Sequence, residues 1–275
     1  MKDNIVLSRA MEKLRESEYA VSCTDFLTPE EKNAVYAELV REGGAEKCFF
    51  WGGGVGCDRT VAVFLPEWYL SDDAPVHKMP LDEERTRFFA EYLSDSADIT
   101  EQIPISAIKI KGSGFKSLSH RDFMGGLLSL GIDRSVVGDI AVVSESEAIV
   151  FVHDRIKNYI LTTLDKIGRD GVKLEELAPD PTFTVPRKYE ISEVTVASLR
   201  LDAMVKAISG KSRELSAAMV KEGLAVLNYR ENCETSAEVS VGDVISVRGY
   251  GKYLVGETCG QTKSGRIKVK LKKYI

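Results

Sequence analysis

SLRLDAMVKAISGKSRELSAAMVKEGLAVLNYRENCETSAEVSVGDVISVRG, residues 198–249, is the stretch on which the reading of this chain turns. Leu201, Met204, Val205 and Ile208 fall on one stripe of a 3.6-residue period, so a helix is predicted there, and Gly210 breaks it. Ser212 is placed to cap a second helix, in which Leu215, Ala218 and Met219 share a face. Arg213, Ala217 and Lys221, four residues apart, lie on the opposite one. Gly223 ends that helix. Ala225–Asn228 and Val244–Arg248 read as short strands, with a turn at Val241-Gly242-Asp243. Two short helices thus present an outward cationic row, with Arg200 beside it and Lys211 at the joint. The small Ala217 lets a phosphate backbone come close between two cations. The plainer alternative is that Arg200 and Asp202 only pair with each other or cap the helix.

The tail extends the basic character. Arg248-Gly249-Tyr250-Gly251-Lys252 leads into a predicted β-hairpin whose tip carries Lys263 and Arg266. Its return strand, Ile267-Lys268-Val269-Lys270-Leu271-Lys272, alternates apolar residues and lysines, so the three lysines share one face. Edge lysines can serve only to block aggregation. Added to the helical row, they are read as extending one surface for a nucleic-acid backbone.

Charge along the chain agrees with that reading. From Arg187 to Ile275 there are 16 Lys+Arg against 10 Asp+Glu, whereas the remainder carries 21 against 32. The overall net charge of −5 therefore hides a basic C-terminal segment on an acidic protein. The 275 residues suit two or three units, and 44% hydrophobic with 29% charged residues is an ordinary globular balance. No apolar run approaches 18 residues, so no membrane span is expected. The five cysteines include no CxxC pair, which argues against a zinc ribbon or a disulfide framework and fits a reduced, cytoplasmic protein.

Two polar, proline-broken stretches divide the chain: Ser71-Asp72-Asp73-Ala74-Pro75, and Ala178 to Pro186 with three prolines. Three domains are expected, over 1–74, 75–178 and 187–275. In the first, Thr28, Pro29 and Glu31 announce a helix with a capping box. Apolar runs at Lys47–Trp51 and Thr60–Leu65 flank the glycine-rich Gly52-Gly53-Gly54-Val55-Gly56. That loop lacks the Lys-Ser/Thr of a phosphate-binding loop and a following helix, so a hairpin turn is expected. In the second, the order βαββαβ is predicted: strand Ile105–Lys111, helix Ser119–Leu130, strands Asp139–Val143 and Ala148–His153, helix Arg155–Ile167, strand Val172–Leu177. This suggests a split-βαβ sandwich, without the aromatic-rich strand that stacks bases in the commonest RNA-binding version. Gly125-Gly126 inside a helix implies close approach of another element. His120-Arg121-Asp122 matches a kinase triplet, but Leu127 stands where that pattern needs Asn, so a helix cap by Ser119 and Asp122 is expected.

Arg200-Leu201-Asp202, Ser212-Arg213, Gly223, Val226 with Asn228, and Gly242-Asp243 together resemble the S4 RNA-binding domain. Tyr229 departs from that pattern, which usually has Gly after the Asn. The whole chain resembles the YlmH family of bacterial S4-domain proteins. The added resemblance lies in Leu118 to Gly125, Leu130-Gly131-Ile132, Gly138-Asp139-Ile140, and Thr262-Lys263-Ser264-Gly265-Arg266. The resemblance implies an α+β protein with a helical and hairpin N-terminal domain, a βαββαβ ferredoxin/RRM-like middle and a C-terminal S4 domain with a β-hairpin extension. It implies a non-enzymatic factor that binds rRNA of the large ribosomal subunit in quality control of stalled ribosomes, with peptidyl-tRNA and a tailing factor as further partners. No cofactor, metal or membrane is expected. The candidate RNA contacts are Arg200, Lys206, Lys211, Ser212, Arg213, Lys221, Arg248, Tyr250, Lys252, Lys263, Arg266, Lys268 and Lys270. The competing expectation is an RNA-modifying enzyme that uses S4 as a targeting arm.

Overall fold

The computed structural model describes residues 2–69, 83–230 and 233–275. The protein is mixed α/β and separates into two compact units, residues 1–186 and 187–275. The expected break at Ser71 to Pro75, and His77, lie outside the described residues.

In the first unit the helices are α1 (Lys2–Glu16), α2 (Pro29–Glu42), α3 (Glu83–Asp95), α4 (Ala97–Thr100), α5 (His120–Leu128) and α6 (Asp154–Thr163). The strands are β1 (Ser22–Cys23), β2 (Cys48–Trp51), β3 (Val61–Phe64), β4 (Ile105–Gly112), β5 (Val137–Val142), β6 (Glu147–His153), β7 (Lys166–Ile167) and β8 (Asp170–Leu177). They form two sheets, β1-β3-β2 and β5-β6-β4-β8-β7. The order βαββαβ read from the sequence is present, with the short β7 interposed.

Local chemistry explains the helix starts. Thr28 accepts from the Glu31 N–H while the Glu31 carboxylate accepts from the Thr28 N–H. Ser119 and Asp122 make the same reciprocal pair at the start of α5, which accounts for His120-Arg121-Asp122 without catalysis. One boundary needs correction. Helix α6 begins at Asp154, with His153 Nδ1 as its cap, and ends at Thr163 rather than running to Ile167. Gly168, at φ 61°, turns the chain so that Ile167 becomes a strand residue. Ile167 Cγ1 would lie 2.8 Å from a Cβ at Gly126, which explains that helical glycine. Gly125 has nothing within 4 Å of such a position, and no packing reason for it is visible.

The glycine-rich segment joins β2 and β3 as a hairpin loop, and its glycines are there for packing. A Cβ at Gly53 would come within 2.3 Å of the Phe151 ring, and one at Gly54 within 2.7 Å of the Phe183 carbonyl. The Val55 N–H donates to Phe183 O at 2.8 Å and the Val185 N–H to Val55 O at 3.0 Å, so the proline-rich stretch lies along this loop. Arg59 fixes the loop's far end. Its guanidinium donates to the carbonyls of Phe26, Arg134 and Val137, and the Asp139 carboxylate accepts from the N–H groups of Asp58 and Arg59. Phe26, Trp51, Val61, Leu93, Ile103 and Phe151 consequently share one core.

The second unit contains β9 (Tyr189–Val196), α7 (Leu201–Ser209), α8 (Arg213–Lys221), β10 (Ala225–Leu227), β11 (Val244–Val247), β12 (Gly251–Gln261) and β13 (Ile267–Tyr274). Its sheet order is β10-β11-β12-β13-β9, antiparallel throughout. Leu201, Met204, Val205 and Val220 pack on Val247, Val255, Val269 and Leu271, so the helices cover one face of the sheet. No described helix is long and apolar enough to cross a membrane.

Gly53→Ala tests the packing argument. It is expected to lower the stability of the first unit by about 2–5 kcal/mol, since φ 97° already disfavours a side chain and the Phe151 ring must also move. Gly43→Ala, at φ 88° with open space around it, carries the backbone strain alone and should cost about 1–3 kcal/mol. Urea unfolding of both variants reads the difference, and equal losses would refute a steric origin.

Candidate nucleic-acid interface

The site forms around the joint between α7 and α8. Helix α7 is set by its apolar stripe, of which Leu201, Met204 and Val205 are buried. Its first turn is tied down from outside, the Leu201 and Asp202 N–H groups donating to the carbonyls of Ala237 and Thr235. Gly210 closes it in the left-handed region at φ 67°. Ser212 then caps α8, its Oγ accepting from the Leu215 N–H at 3.3 Å. The cap uses an acceptor lone pair and leaves the hydroxyl hydrogen for a ligand.

The centre of the site is a carboxylate. Asp202 is only 4% exposed. It accepts from Arg200 Nε at 3.1 Å and from the second Arg200 nitrogen at 3.3 Å, and Arg213 Nε lies 3.6 Å from its other oxygen. Burial works against the ionised form. The hydrogen bonds and charge of Arg200, the Ala203 N–H and the charge of Arg213 outweigh it, and hold the carboxyl below its ordinary range. The two arginine side chains remain 40% and 72% exposed. One buried acid therefore orients two guanidinium groups from different helices while their remaining donors face outward, an arrangement suited to phosphate oxygens. The Arg200–Asp202 pair expected as the plainer alternative is present, and it leaves the cation available.

Lys206, Lys211 and Lys221 are exposed on the same helical pair. Helix α8 is rotated from the expected orientation. Leu215 is 55% exposed, and the buried positions are Ser216 and Val220. The Ser216 hydroxyl donates to Ser212 O at 2.9 Å, so this residue tolerates burial and brings the helix close. Leu215 then lies outside among the cations.

The remaining candidates do not join this row. Val269 and Leu271 face the helices, so by strand alternation Lys268, Lys270 and Lys272 stand on the opposite face of the sheet. Lys268 pairs with Glu193 at 2.9 Å, and Lys270 lies 3.9 Å from Glu257. Lys252 sits 4.4 Å over the Tyr274 ring and 5.0 Å over that of Tyr229. Lys263 and Arg266 are exposed at the β12–β13 turn, where Arg266 also donates to Thr195 O. Arg248 is exposed beyond β11, its N–H bound to Leu224 O just after α8. Tyr250 packs partly into the core. The single continuous surface read from the sequence is thus two, separated by the sheet's own thickness.

Sequence reasoning missed the aromatic partners on the outer face. Tyr189 and Tyr274 meet edge to face at 5.0 Å, with Lys272 and Arg187 near their rings. Strand β9 itself was missed, although its Tyr-x-Ile and Val-Thr-Val content was a readable signal. Asn228 and Tyr229 both take positive φ, 49° and 58°, where an Asn-Gly pair is the usual choice. The Asn228 amide holds that turn, donating to Asp243 and accepting from the Val244 N–H.

In the first unit, strands β4 and β6 turn Ile105, Ala107, Ile149 and Phe151 away from α5 and α6 and toward the core that includes Leu93 and Ile99. These four line a cavity of 310 Å³ whose other walls include Trp51 and Phe183. Phe151 is 2% exposed, so this sheet face does not offer an open aromatic platform.

Comparison with known proteins now bears on this geometry. The sequence model of the family described as "Putative RNA-binding domain in YlmH" matches residues 100–180. The Ribosome-associated protein quality control protein P2 of Bacillus subtilis (strain 168) is 28% identical over 257 residues, covering 94% of this chain and 89% of that protein. The chain is therefore similar to YlmH proteins, in sequence over most of its length and in the family model over residues 100–180. Among solved structures, Cell division protein ylmH from Streptococcus pneumoniae is 24% identical with a TM-score of 0.44, covering 65% of this chain and 92% of that one.

The depressed Asp202 carboxyl has a consequence for acid stability. Its ionised form is favoured by folding, so its contribution is complete above the ordinary carboxylate value of about 3.9 and is lost as pH falls through its lower folded value. Asp202→Asn is expected to lower Tm at pH 7 and to flatten the fall in Tm between pH 4 and pH 2. A variant whose acid limb parallels the parent would show that another carboxylate carries it.

Proposed function

We propose that this chain is a non-enzymatic RNA-binding factor whose C-terminal part, residues 187–275, is an S4 domain that docks on rRNA of the large ribosomal subunit. It acts in quality control of stalled, peptidyl-tRNA-bearing subunits in the cytoplasm, alongside a factor that tails the nascent chain. The domain at 75–178 supplies an RRM-like middle and that at 1–74 a helical and hairpin front. The observation that carries the reading is the orientation of exposed Arg200 and Arg213 by one buried acid, beside exposed Lys206, Lys211 and Lys221. The matched RNA-binding description over residues 100–180 and the name of the Bacillus relative support it from a different direction. Phosphate contacts of this kind supply affinity and register, and their strength falls steeply with salt because bound counterions are released.

Lys211→Ala with Arg213→Ala tests the docking face. The double variant is expected to co-sediment with large subunits at least ten-fold more weakly at 150 mM salt. Its log–log salt slope should be shallower by about two, one for each lost phosphate contact. Wild-type co-sedimentation with an unchanged slope would remove this face from the interaction.

A further inference from the structure

The loop between β4 and α5 carries chemistry that the C-terminal site does not use. Residues 111–121 read KGSGFKSLSHR, with three cations and no carboxylate. At its tip Phe115 is 98% exposed, the most exposed large apolar side chain among the described residues. A single exposed apolar residue is ordinary by itself. Here the loop is built to keep it exposed.

The loop is pinned on both sides of the ring. The Gly112 N–H donates to Ser146 O at 2.8 Å, and a Cβ there would meet the Asp170 carboxylate at 2.7 Å. The Ser113 hydroxyl and its N–H both donate to Asp170, which is only 9% exposed. The Phe115 N–H donates to Ser113 Oγ at 3.3 Å. Beyond the ring, the Leu118 N–H donates to Glu145 O at 2.7 Å, and the Ser119–Asp122 cap starts α5. The ordering entropy of the tip is thus largely met before any ligand arrives.

The segments that meet this loop carry cations. Lys116 and Arg121 flank it in sequence, and Arg169 adjoins the anchoring Asp170. Lys173 stands directly across from Lys111 in the β4–β8 register, an unfavourable juxtaposition of like charges. Lys111 is paired with Glu147 at 2.8 Å. Among the described residues, Lys116, Arg121, Arg169 and Lys173 have no carboxylate within 4 Å. A lone ring amid polar and charged neighbours lacks the apolar surround of a protein hot spot, and the apolar area of a membrane anchor. An exposed aromatic face beside cations that make no salt bridge is the chemistry of unpaired nucleotides, with the charges of Lys116 and Arg121 acting only at longer range on Asp122. The sheet face that could have served instead holds Phe151 covered.

We propose that Phe115 stacks on an unpaired base of RNA while Lys116, Arg121, Arg169 and Lys173 hold the flanking phosphates. This rests on the RNA-binding reading above and assigns the first unit its own contact, separate from the C-terminal helices.

The test uses the full chain and a fluorescein-labelled single-stranded 12-nucleotide RNA of mixed sequence. Phe115→Ala is expected to bind about ten-fold more weakly with an unchanged salt slope, because stacking releases no counterions. Phe115→Trp should bind as the parent does, and RNA should quench its emission beyond any change in the parent's own two tryptophans. Lys211→Ala with Arg213→Ala should weaken ribosome binding and leave that quenching at saturation intact. If Phe115→Ala binds the 12-mer within two-fold of the parent, or the new tryptophan is unquenched, the inference falls whatever the C-terminal variants do. It falls equally if the Ala variant loses only binding to phosphatidylserine vesicles or to a ribosomal protein. If Phe115→Ala loses the RNA while the C-terminal variants bind ribosomes normally, the inference stands and the C-terminal docking face does not.

Discussion

A carboxylate with 4% of its surface in contact with water must be paired or neutral. Asp202 meets that demand with two guanidinium groups, one from the residue that opens α7 and one from the first residue of α8. The same contact therefore does two things. It locks the joint between the helices, and it fixes cations that would otherwise spend rotamer entropy on every ligand they met. The geometry is asymmetric in a useful way. Arg200 gives two of its donors to the acid in a near-bidentate pair, whereas Arg213 touches it through one nitrogen at 3.6 Å and keeps the greater exposure. A phosphate approaching the joint meets a rigid donor on one side and an adjustable one on the other.

Perturbed ionisable groups often mark catalytic sites, but Arg134, Arg59 and Cys23 are perturbed by burial in packed surroundings. Burial, with Arg59 close by, pulls Arg134 down to about 10, which still leaves it charged at neutral pH. Its guanidinium is spent on the carbonyls of Val137 and Gly138. Arg59, lowered in its turn by burial, shares the Val137 carbonyl and supports two more, those of Phe26 and Arg134. These two arginines and Asp139 close the polar end of a loop whose other end is glycine packed on aromatic rings. Burial drives the Cys23 thiol up to about 12, so it stays protonated and unreactive.

The parts of the fold legible in the sequence were those written in short-range chemistry. Thr28 with Glu31, and Ser119 with Asp122, each specify a helix start within four residues, and both are made as read. The alternation of Val269 and Leu271 with lysines needed only period two. What escaped was set by tertiary packing. Leu215 reads as an inward residue, but the hydroxyl of Ser216 can bond within the helix and take the buried place. Ile167 continues the apolar period of α6, yet the left-handed Gly168 and the gap above Gly126 make it a strand. Alternation gave the lysines' shared face correctly. It could not say which face the helices would cover, so the helical row and the strand lysines were merged into one surface.

That separation bears on which cations can matter. Lys268 and Lys270 stand beside carboxylates of their own sheet, on side chains that are 40% and 48% exposed. Exposed pairs of this kind are worth at most about 1 kcal/mol, so an incoming phosphate could displace them, but each exchange returns an unpaired acid to the same face. The α7–α8 joint differs because its acid is buried and shared. When a phosphate takes the outward donors of Arg200 and Arg213, Asp202 keeps its inward bonds, and no carboxylate is exposed by binding. Of the two basic faces of the C-terminal unit, the helical one is the better grip on a polyanion, not because it has more charge but because its counter-charge never has to leave.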